Sequence, residues 1–295
     1  LAEAMKSAVY NLDEVIEESL SPLAGSVNGD KISKANLENR PLGIGVSGLA
    51  DAFQLIDLPY MSRPAILLNQ MIFACMYFNG MLASLELAIQ RGEYYTFRKG
   101  SYQRFTHVSV DENGKKTAQF KTEKGSPLSN GQFQFSLWQE EAEMLSQLGQ
   151  LNTKIYNRAD DIPIDPFWWG QDDTFLHKLN PTDDTVDEII VACTWESLRD
   201  HVVEYGVRHS LLTAIMPTMT SATHLRNCES TECHQNNIYA RQVLSGSYTI
   251  VNRHMQKDLE AIGVANEKLY EFLSVSSGSL KHLATFVCDN PDLYP

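Results

Sequence analysis

The chain has 295 residues, 43% of them hydrophobic and 21% charged, which is typical of a globular protein with one large domain or two smaller ones. Its formal net charge of −13 argues against a general nucleic-acid-binding protein, because neutralising phosphates requires a basic surface. The five cysteines are odd in number and scattered, which argues against a secreted disulfide framework and favours a reducing, cytoplasmic setting.

The N-terminal part is predicted to be mainly helical. Apolar residues recur at intervals of three and four over residues 1–20, and Ser21-Pro22 is expected to end this helix. A loop rich in Gly, Ser and Asn should then run to about Asn39. The apolar segment 42–46 and a helix over 49–56 follow.

A long apolar helix is predicted to begin at Pro64 and to stop at Gly92. Its run at 71–89 is about as long as a membrane-spanning helix. Asn79 and Glu86 lie within that run, and basic and Trp flanks are lacking, so a buried helix is favoured and no membrane is expected.

Two segments are predicted to be surface insertions on the core fold. In the first, over about 98–124, Asn113-Gly114 separates two stretches of strand character, which predicts a hairpin. The second covers about 146–190; it is acidic and rich in turn residues, and its Phe167-Trp168-Trp169 cluster is expected to pack on the body.

The remaining elements alternate between strand and helix, which favours an α/β fold. Helices are predicted over 139–151 and Trp195–Tyr205, and shorter helices over 255–262 and 267–274. The chain is expected to be irregular from 223 to 247.

Residues 211–223 carry the clearest functional signal. An apolar run of strand length ends at Pro217, and four hydroxyl side chains follow: Thr218, Thr220, Ser221 and Thr223. A strand that leads through such a loop into a helix is typical of a phosphate site, because hydroxyls and free backbone N–H groups bind anions. A plain helix N-cap is the alternative, although a cap needs only one hydroxyl.

Residues 43–48 read Gly-Ile-Gly-Val-Ser-Gly and match the dinucleotide fingerprint. A nicotinamide-dependent oxidoreductase would also need a buried strand before them and a second strand after one helix. A polar segment precedes them, and Asp57-Leu58-Pro59 leads to the long helix instead. We therefore favour glycines that allow a strand and the next helix to pack closely, and keep dinucleotide binding as an alternative.

Four potential metal ligands lie within eleven residues: His224, Cys228, Cys233 and His234. A zinc-knuckle or redox interaction module over 224–234 is therefore the second functional hypothesis. Ordinary thiols beside the anion loop are the simpler interpretation.

Polar residues after the hydroxyl loop are expected to form a pocket wall. They are Asn227, Glu229, Glu232 and Asn237, with Arg241 as a possible cation nearby.

Five blocks, in the family's order, resemble the large catalytic subunit of class I ribonucleotide reductase, nearer to its eukaryotic and viral type. The similarity covers nearly the whole chain apart from the two insertions. The blocks are 40–53, 125–131, 205–212, 216–222 and 237–246.

The resemblance implies that residues 1–295 belong to the catalytic domain, part of a ten-stranded α/β barrel. It implies reduction of ribonucleoside diphosphates to deoxyribonucleotides by thiyl-radical chemistry. The family's diphosphate-binding loop lines up with Thr218, Met219, Thr220, Ser221 and Ala222.

The resemblance also implies that much of the machinery lies outside this chain. The chain begins without Met, and we expect a fragment, inactive alone, with the finger loop, its radical cysteine and the ATP/dATP effector region before Leu1. We assign no catalytic residue, metal or cofactor to this chain; the radical metal centre belongs to a small partner subunit. Thioredoxin or glutaredoxin as reductant and a homodimer of the full-length subunit are also implied.

One block departs from the family pattern. The family commonly shows Asn-Glu-Ser-Ile-Glu-Pro after the loop, whereas this chain reads Cys-Glu-Ser-Thr-Glu-Cys over 228–233, followed by His234. The departure leaves the pocket wall and a metal role for these residues open.

Overall fold

The computed structural model describes residues 1–23, 28–150, 176–179, 189–192, 194–234, 236–243 and 246–294. Phe167, Trp168 and Trp169, with most of the insertion predicted over 146–190, lie outside the described residues. By its contacts the chain divides into two compact units. The first comprises Leu1–Ile44 and Leu67–Ala214, and the second comprises Gly45–Ile66 and Ile215–Pro295.

The described elements mix helices and strands, as predicted. The α-helices are α1 (Ala2–Leu23), α2 (Gly29–Asn39), α3 (Leu49–Leu55), α4 (Arg63–Arg91), α5 (Thr96–Lys99), α6 (Gln134–Leu148), α7 (Trp195–Tyr205), α8 (Met219–Leu225), α9 (Arg253–Ala261), α10 (Glu267–Val275) and α11 (Leu283–Asp289). The strands are β1 (Ser101–Val110), β2 (Lys116–Lys124), β3 (Leu176–Leu179), β4 (Ile189–Ala192), β5 (Ile238–Val243) and β6 (Gly246–Val251). Short 3-10 turns lie at Leu128–Asn130 and Leu280–His282.

Within these ranges the strands form three separate antiparallel pairs, β1–β2, β3–β4 and β5–β6. The apolar segment 42–46 and the apolar run of strand length before Pro217 contain a single parallel bridge between Ile44 and Thr213. Backbone bonds of 2.9 Å from Leu42 N–H to the Leu211 carbonyl and from Ile44 N–H to the Leu212 carbonyl extend it. The described ranges thus hold one parallel contact and no closed barrel.

The core of the first unit is built on α4, which stops at Gly92 as predicted. Gly92 has φ +88°, a conformation that favours glycine. Met81 and Leu85 of α4 are buried in one cluster with Val9 of α1. Among the described residues α4 is the one helix long and apolar enough to cross a membrane, but 56% of its most apolar window is buried, as in a core helix.

A buried polar network also lies in the first unit, around Asp13. Its Oδ1 atom lies 3.1 Å from Arg40 Nε and 3.0 Å from His209 Nε2. The other ring nitrogen of His209 lies 3.0 Å from Ser84 Oγ. Burial raises the pKa of Asp13, but the hydrogen bonds from His209 and Arg40 outweigh it and hold that pKa well below its ordinary value. Burial lowers the pKa of His209.

The second unit has its own core, where Ile238 of the β5–β6 hairpin packs with residues of α9 and α10. Each of these two helices begins at an asparagine cap. Asn252 accepts a 3.0 Å bond from His254 N–H, and Asn266 accepts one of 2.9 Å from Leu269 N–H.

Two predictions of irregular structure are wrong. The expected loop before Asn39 contains α2, and the expected irregular stretch 223–247 contains the end of α8, the whole of β5 and the start of β6. The hairpin predicted around Asn113-Gly114 is confirmed, with Gly114 at φ +76°.

Candidate functional site

The hydroxyl loop forms the start of α8, in the second unit. Thr218 occupies the N-cap position, but its side chain makes no capping bond. Its Oγ1 instead accepts a 2.8 Å bond from the backbone N–H of Ser230 and lies 3.4 Å from Ser47 Oγ. The N-cap alternative therefore does not explain this hydroxyl, which joins two segments of the unit.

The five predicted binding residues have different surroundings. Thr220 and Ser221 are exposed, and within the described ranges their hydroxyls have no hydrogen-bond partner. Met219 is exposed as well. Ala222 is buried, and its N–H donates to the Thr218 carbonyl at 2.7 Å. Thr220 and Ser221 are thus the side chains still available to an anion.

A cavity of about 270 Å³ lies beside Thr218, lined by residues 215–218 and 229–232. This confirms Glu229 and Glu232 as wall residues, and none of the described lining residues is basic. Asn237 instead donates to the Gly278 carbonyl at 3.1 Å. The side chain of Arg241 lies outside the described residues.

The cavity wall is fixed to the glycine segment 43–48. Gly48 N–H donates to the Cys228 carbonyl at 3.0 Å, and Ser47 Oγ donates to Asn227 Oδ1 at 3.3 Å. Gly48 has φ +82°, and a Cβ there would lie 2.9 Å from Asn227 Nδ2, so the close packing at Gly48 is against the segment after α8. Between Gly48 and Gly92 the structure has helices α3 and α4 and no second strand, so the dinucleotide-binding alternative is wrong.

Asp51 of α3 is the buried charge of this region. Its Oδ2 accepts a 2.6 Å bond from Cys228 N–H, and its Oδ1 lies 2.9 Å from His254 Nε2 and 3.3 Å from Arg253 Nη2. Burial alone would raise the pKa of Asp51, but hydrogen bonds from Cys228 and His254 and the nearby His234 lower it to about 2. Asp51 is therefore an ionised carboxylate at neutral pH.

The potential metal ligands differ from those predicted. Potential ligand atoms of Asp51, Cys228 and His234 lie within 4.8 Å of one another, and this group includes neither His224 nor Cys233. Both of these are exposed, so the proposed four-ligand knuckle is not formed. Burial raises the pKa of the Cys228 thiol to about 11 and lowers the pKa of His234.

Sequence reasoning missed Asp51 and His254. Asp51 lies 177 positions before Cys228, and His254 follows Asn252, whose side chain caps α9. No local spacing could have linked them, because their proximity comes from packing of α9 on α3.

Comparison with known proteins identifies the family. The whole chain, residues 1–295, matches the family model described as "Ribonucleotide reductase, barrel domain". The chain is 31% identical over 294 residues to the ribonucleoside-diphosphate reductase large subunit of Caenorhabditis elegans, covering 100% of this chain and 27% of that protein. The corresponding Trypanosoma brucei brucei subunit is 32% identical over 280 residues, covering 95% of this chain and 26% of that protein.

A solved structure is also similar. It is described as the Actinobacillus ureae class Id ribonucleotide reductase alpha subunit, with a TM-score of 0.54 and 18% identity, covering 95% of this chain and 32% of that one. At 18% identity, this similarity supports the fold alone.

The chain belongs to the ribonucleotide reductase barrel-domain family, which confirms the resemblance and the α/β assignment. It spans about a quarter of the length of the curated relatives it matches.

Proposed function

We propose that the full-length protein is the large subunit of a ribonucleoside-diphosphate reductase, and that this segment holds the diphosphate of the substrate. The supporting observation is the start of α8. Because the Thr218 hydroxyl bonds to Ser230 rather than capping the helix, the first N–H groups of α8 and the hydroxyls of Thr220 and Ser221 remain available to an anion.

The surrounding charges support one orientation of the diphosphate. Glu229 and Glu232 line the same cavity as Thr218, and like charges repel a phosphate from these two side chains. The anion is then directed to the α8 side, where hydroxyl and N–H donors bind it. Ala222 shapes this turn through its bond to the Thr218 carbonyl.

The role of the segment is to position the substrate. Holding one end of a nucleotide places its sugar at a fixed distance from the reacting group, which lowers the entropic part of the barrier. The reaction is reduction of a ribonucleoside diphosphate by thiyl-radical chemistry. In this proposal the radical cysteine belongs to a part of the full-length protein outside residues 1–295, as the family resemblance implies, and no residue of this chain is assigned to the chemical step.

The proposed partners follow from the family. They are a small subunit that generates the radical, a thioredoxin or glutaredoxin that restores the reducing thiols, and a second copy of the large subunit. ATP and dATP act as effectors at a site elsewhere in the full-length protein. The proposed location is cytoplasmic, in keeping with the scattered cysteines.

The experiment is a reductase assay on the full-length protein with its small subunit and a thiol reductant. Deoxynucleotide should form from ribonucleoside diphosphates only when the small subunit is present, and KM should rise in the Thr220→Ala/Ser221→Ala variant. Ser274→Ala is a matched control, because Ser274 is an exposed helical residue whose hydroxyl donates to the Tyr270 carbonyl. The 295-residue segment alone should form no product. Failure of the complete system with every common ribonucleoside diphosphate would contradict the proposal.

A further inference from the structure

Side chains with sulfur, nitrogen and oxygen donors meet in the second unit. Asp51 lies on α3, Cys228 and His234 lie on the segment after α8, and potential ligand atoms of all three are within 4.8 Å of one another. His254 of α9 lies 2.9 Å from Asp51 through its Nε2 atom. We propose that Asp51, Cys228, His234 and His254 together bind one divalent cation of the zinc class.

The distances suit a tetrahedral ion. Zinc bonds of roughly 2.0–2.3 Å place neighbouring ligand atoms about 3.4–3.8 Å apart. His234 Nε2 lies 3.8 Å from Asp51 Oδ2, and His254 Nε2 lies 2.9 Å from Asp51 Oδ1. The ligand atoms of Asp51, Cys228 and His234 lie within 4.8 Å of one another, so these three side chains need shifts of about 1 Å to reach this spacing. His254 lies outside that group of three and joins it by turning its ring from Asp51 towards the ion.

A buried nitrogen in the group lacks a partner. Among the described residues, the Nε2 atom of His234 is buried and forms no hydrogen bond. A buried polar atom without a partner costs roughly 1–3 kcal/mol, so such atoms call for an explanation. A metal ion bound to His234 Nε2 would be the partner that this nitrogen lacks.

The charges balance when an ion is bound. Cysteine binds zinc as the thiolate, so binding displaces the thiol proton to solvent. The carboxylate of Asp51, the thiolate of Cys228, two neutral imidazoles and a doubly charged cation then sum to zero. A neutral group suits this location, because Asp51 is 4% exposed and Cys228 is 7% exposed. Arg253, whose side chain is 53% exposed, can turn from Asp51 to water.

The proposed site is structural rather than catalytic. Four protein ligands leave no open position on a tetrahedral zinc ion, and such closed sites stabilise folds. The ion would tie residues 228–234 to α3 and α9, and these residues include the acidic wall of the cavity. The proposal departs from the expectation that this chain binds no metal, and Cys228 stands where the family commonly shows Asn.

The test is metal analysis of the full-length protein, purified without a histidine tag and without added metal. Elemental analysis should find about one zinc per chain, and Cys228→Ser and His234→Ala should lower that content severalfold. Cys233→Ser is the matched control, because Cys233 is an exposed thiol of the same segment that lies outside the group. It should leave the metal content unchanged.

Cobalt substitution gives a second readout that does not depend on enzyme activity. Co²⁺ added to chelator-treated wild-type protein should give a thiolate-to-cobalt charge-transfer band and the visible absorption of a tetrahedral ion. Absence of zinc together with absence of the band in wild-type protein would overturn the proposal, even if a variant fails to fold. Equal metal loss in Cys228→Ser and Cys233→Ser would also overturn it. Because neither readout involves substrate, a negative result leaves the proposed reductase function standing.

Discussion

The hydroxyl of Thr218 accepts a 2.8 Å hydrogen bond from the backbone N–H of Ser230. This bond connects the N-cap position of α8 to residues 229–232, which also line the cavity. Ser230 is buried and has φ +43°, a backbone conformation uncommon for a residue other than glycine. The bond therefore links the geometry of the proposed phosphate loop to that of the wall.

Thr218→Val should destabilise the protein by about 1–3 kcal/mol, because the substitution keeps the shape of the side chain but leaves the Ser230 N–H without its acceptor. Urea unfolding of the purified protein measures this change. Thr218→Ser retains the hydroxyl, so its free energy of unfolding should fall clearly less than that of Thr218→Val. Equal losses in the two variants would show that this hydrogen bond does not stabilise the loop.

Stability should depend on pH through His209. Burial lowers its pKa in the folded protein, so the unfolded chain takes up the proton first as the pH falls below about 6.5. The contribution of His209 is therefore complete above that pH and is lost as the pH falls towards the folded-state pKa. The pKa of Asp13 is also lowered in the folded protein, so Asp13 makes its own contribution to the free energy of unfolding. This contribution is lost as the pH falls below about 3.9.

The measurement is the free energy of unfolding of wild-type protein and His209→Gln at a series of pH values. Their difference should narrow as the pH falls below about 6.5. His282→Gln serves as a control for the replacement of a histidine as such, because His282 is exposed. A difference that widens on acidification would contradict the assignment of a neutral, buried His209.

Gly278→Ala should destabilise the second unit more than Gly263→Ala. The two glycines have similar backbone angles, φ +81° and φ +76°, so adding a side chain causes similar backbone strain at both positions. A Cβ at Gly278 would lie 2.5 Å from Asn237 Cβ and 2.7 Å from Ile238 N, whereas a Cβ at Gly263 meets nothing within 4 Å. Thermal unfolding of both variants makes the comparison, and equal shifts in Tm would refute the steric argument.

Several elements could be predicted because their signal is local. Gly92 ends α4 and Gly114 lies in the turn of the β1–β2 hairpin, and both positions have positive φ, which glycine adopts without a steric penalty. The helix Trp195–Tyr205 has the predicted bounds, and Thr194 caps it by accepting a 3.1 Å bond from Ser197 N–H. In these elements neighbouring residues alone determine the structure.

The missed elements depend on distant contacts or weak patterns. The end of α2 is fixed by Arg40, which has φ +44° and whose guanidinium bonds to Asp13, 27 positions earlier. The first four residues of β6 are all exposed, so this strand lacks the alternation that marks a half-buried strand.

The candidate site was predictable in part. The cluster of hydroxyls located the loop, and the neighbouring glutamates located its wall. The bond between Thr218 and Ser230 and the burial of Ala222 required the structure, because they depend on how the segment after α8 folds back. The proximity of Asp51 to Cys228 could also be seen only in the structure, because it too depends on how this segment folds back.

The most direct test of the central claim is a binding titration of the full-length protein with a ribonucleoside diphosphate and with its parent nucleoside. If Thr220 and Ser221 hold the diphosphate, Thr220→Ala/Ser221→Ala should weaken diphosphate binding at least about tenfold, since hydrogen bonds to a charged group contribute about 1.5–3 kcal/mol. The affinity for the nucleoside should not change. Unchanged affinity for the diphosphate in a folded double variant would contradict the account.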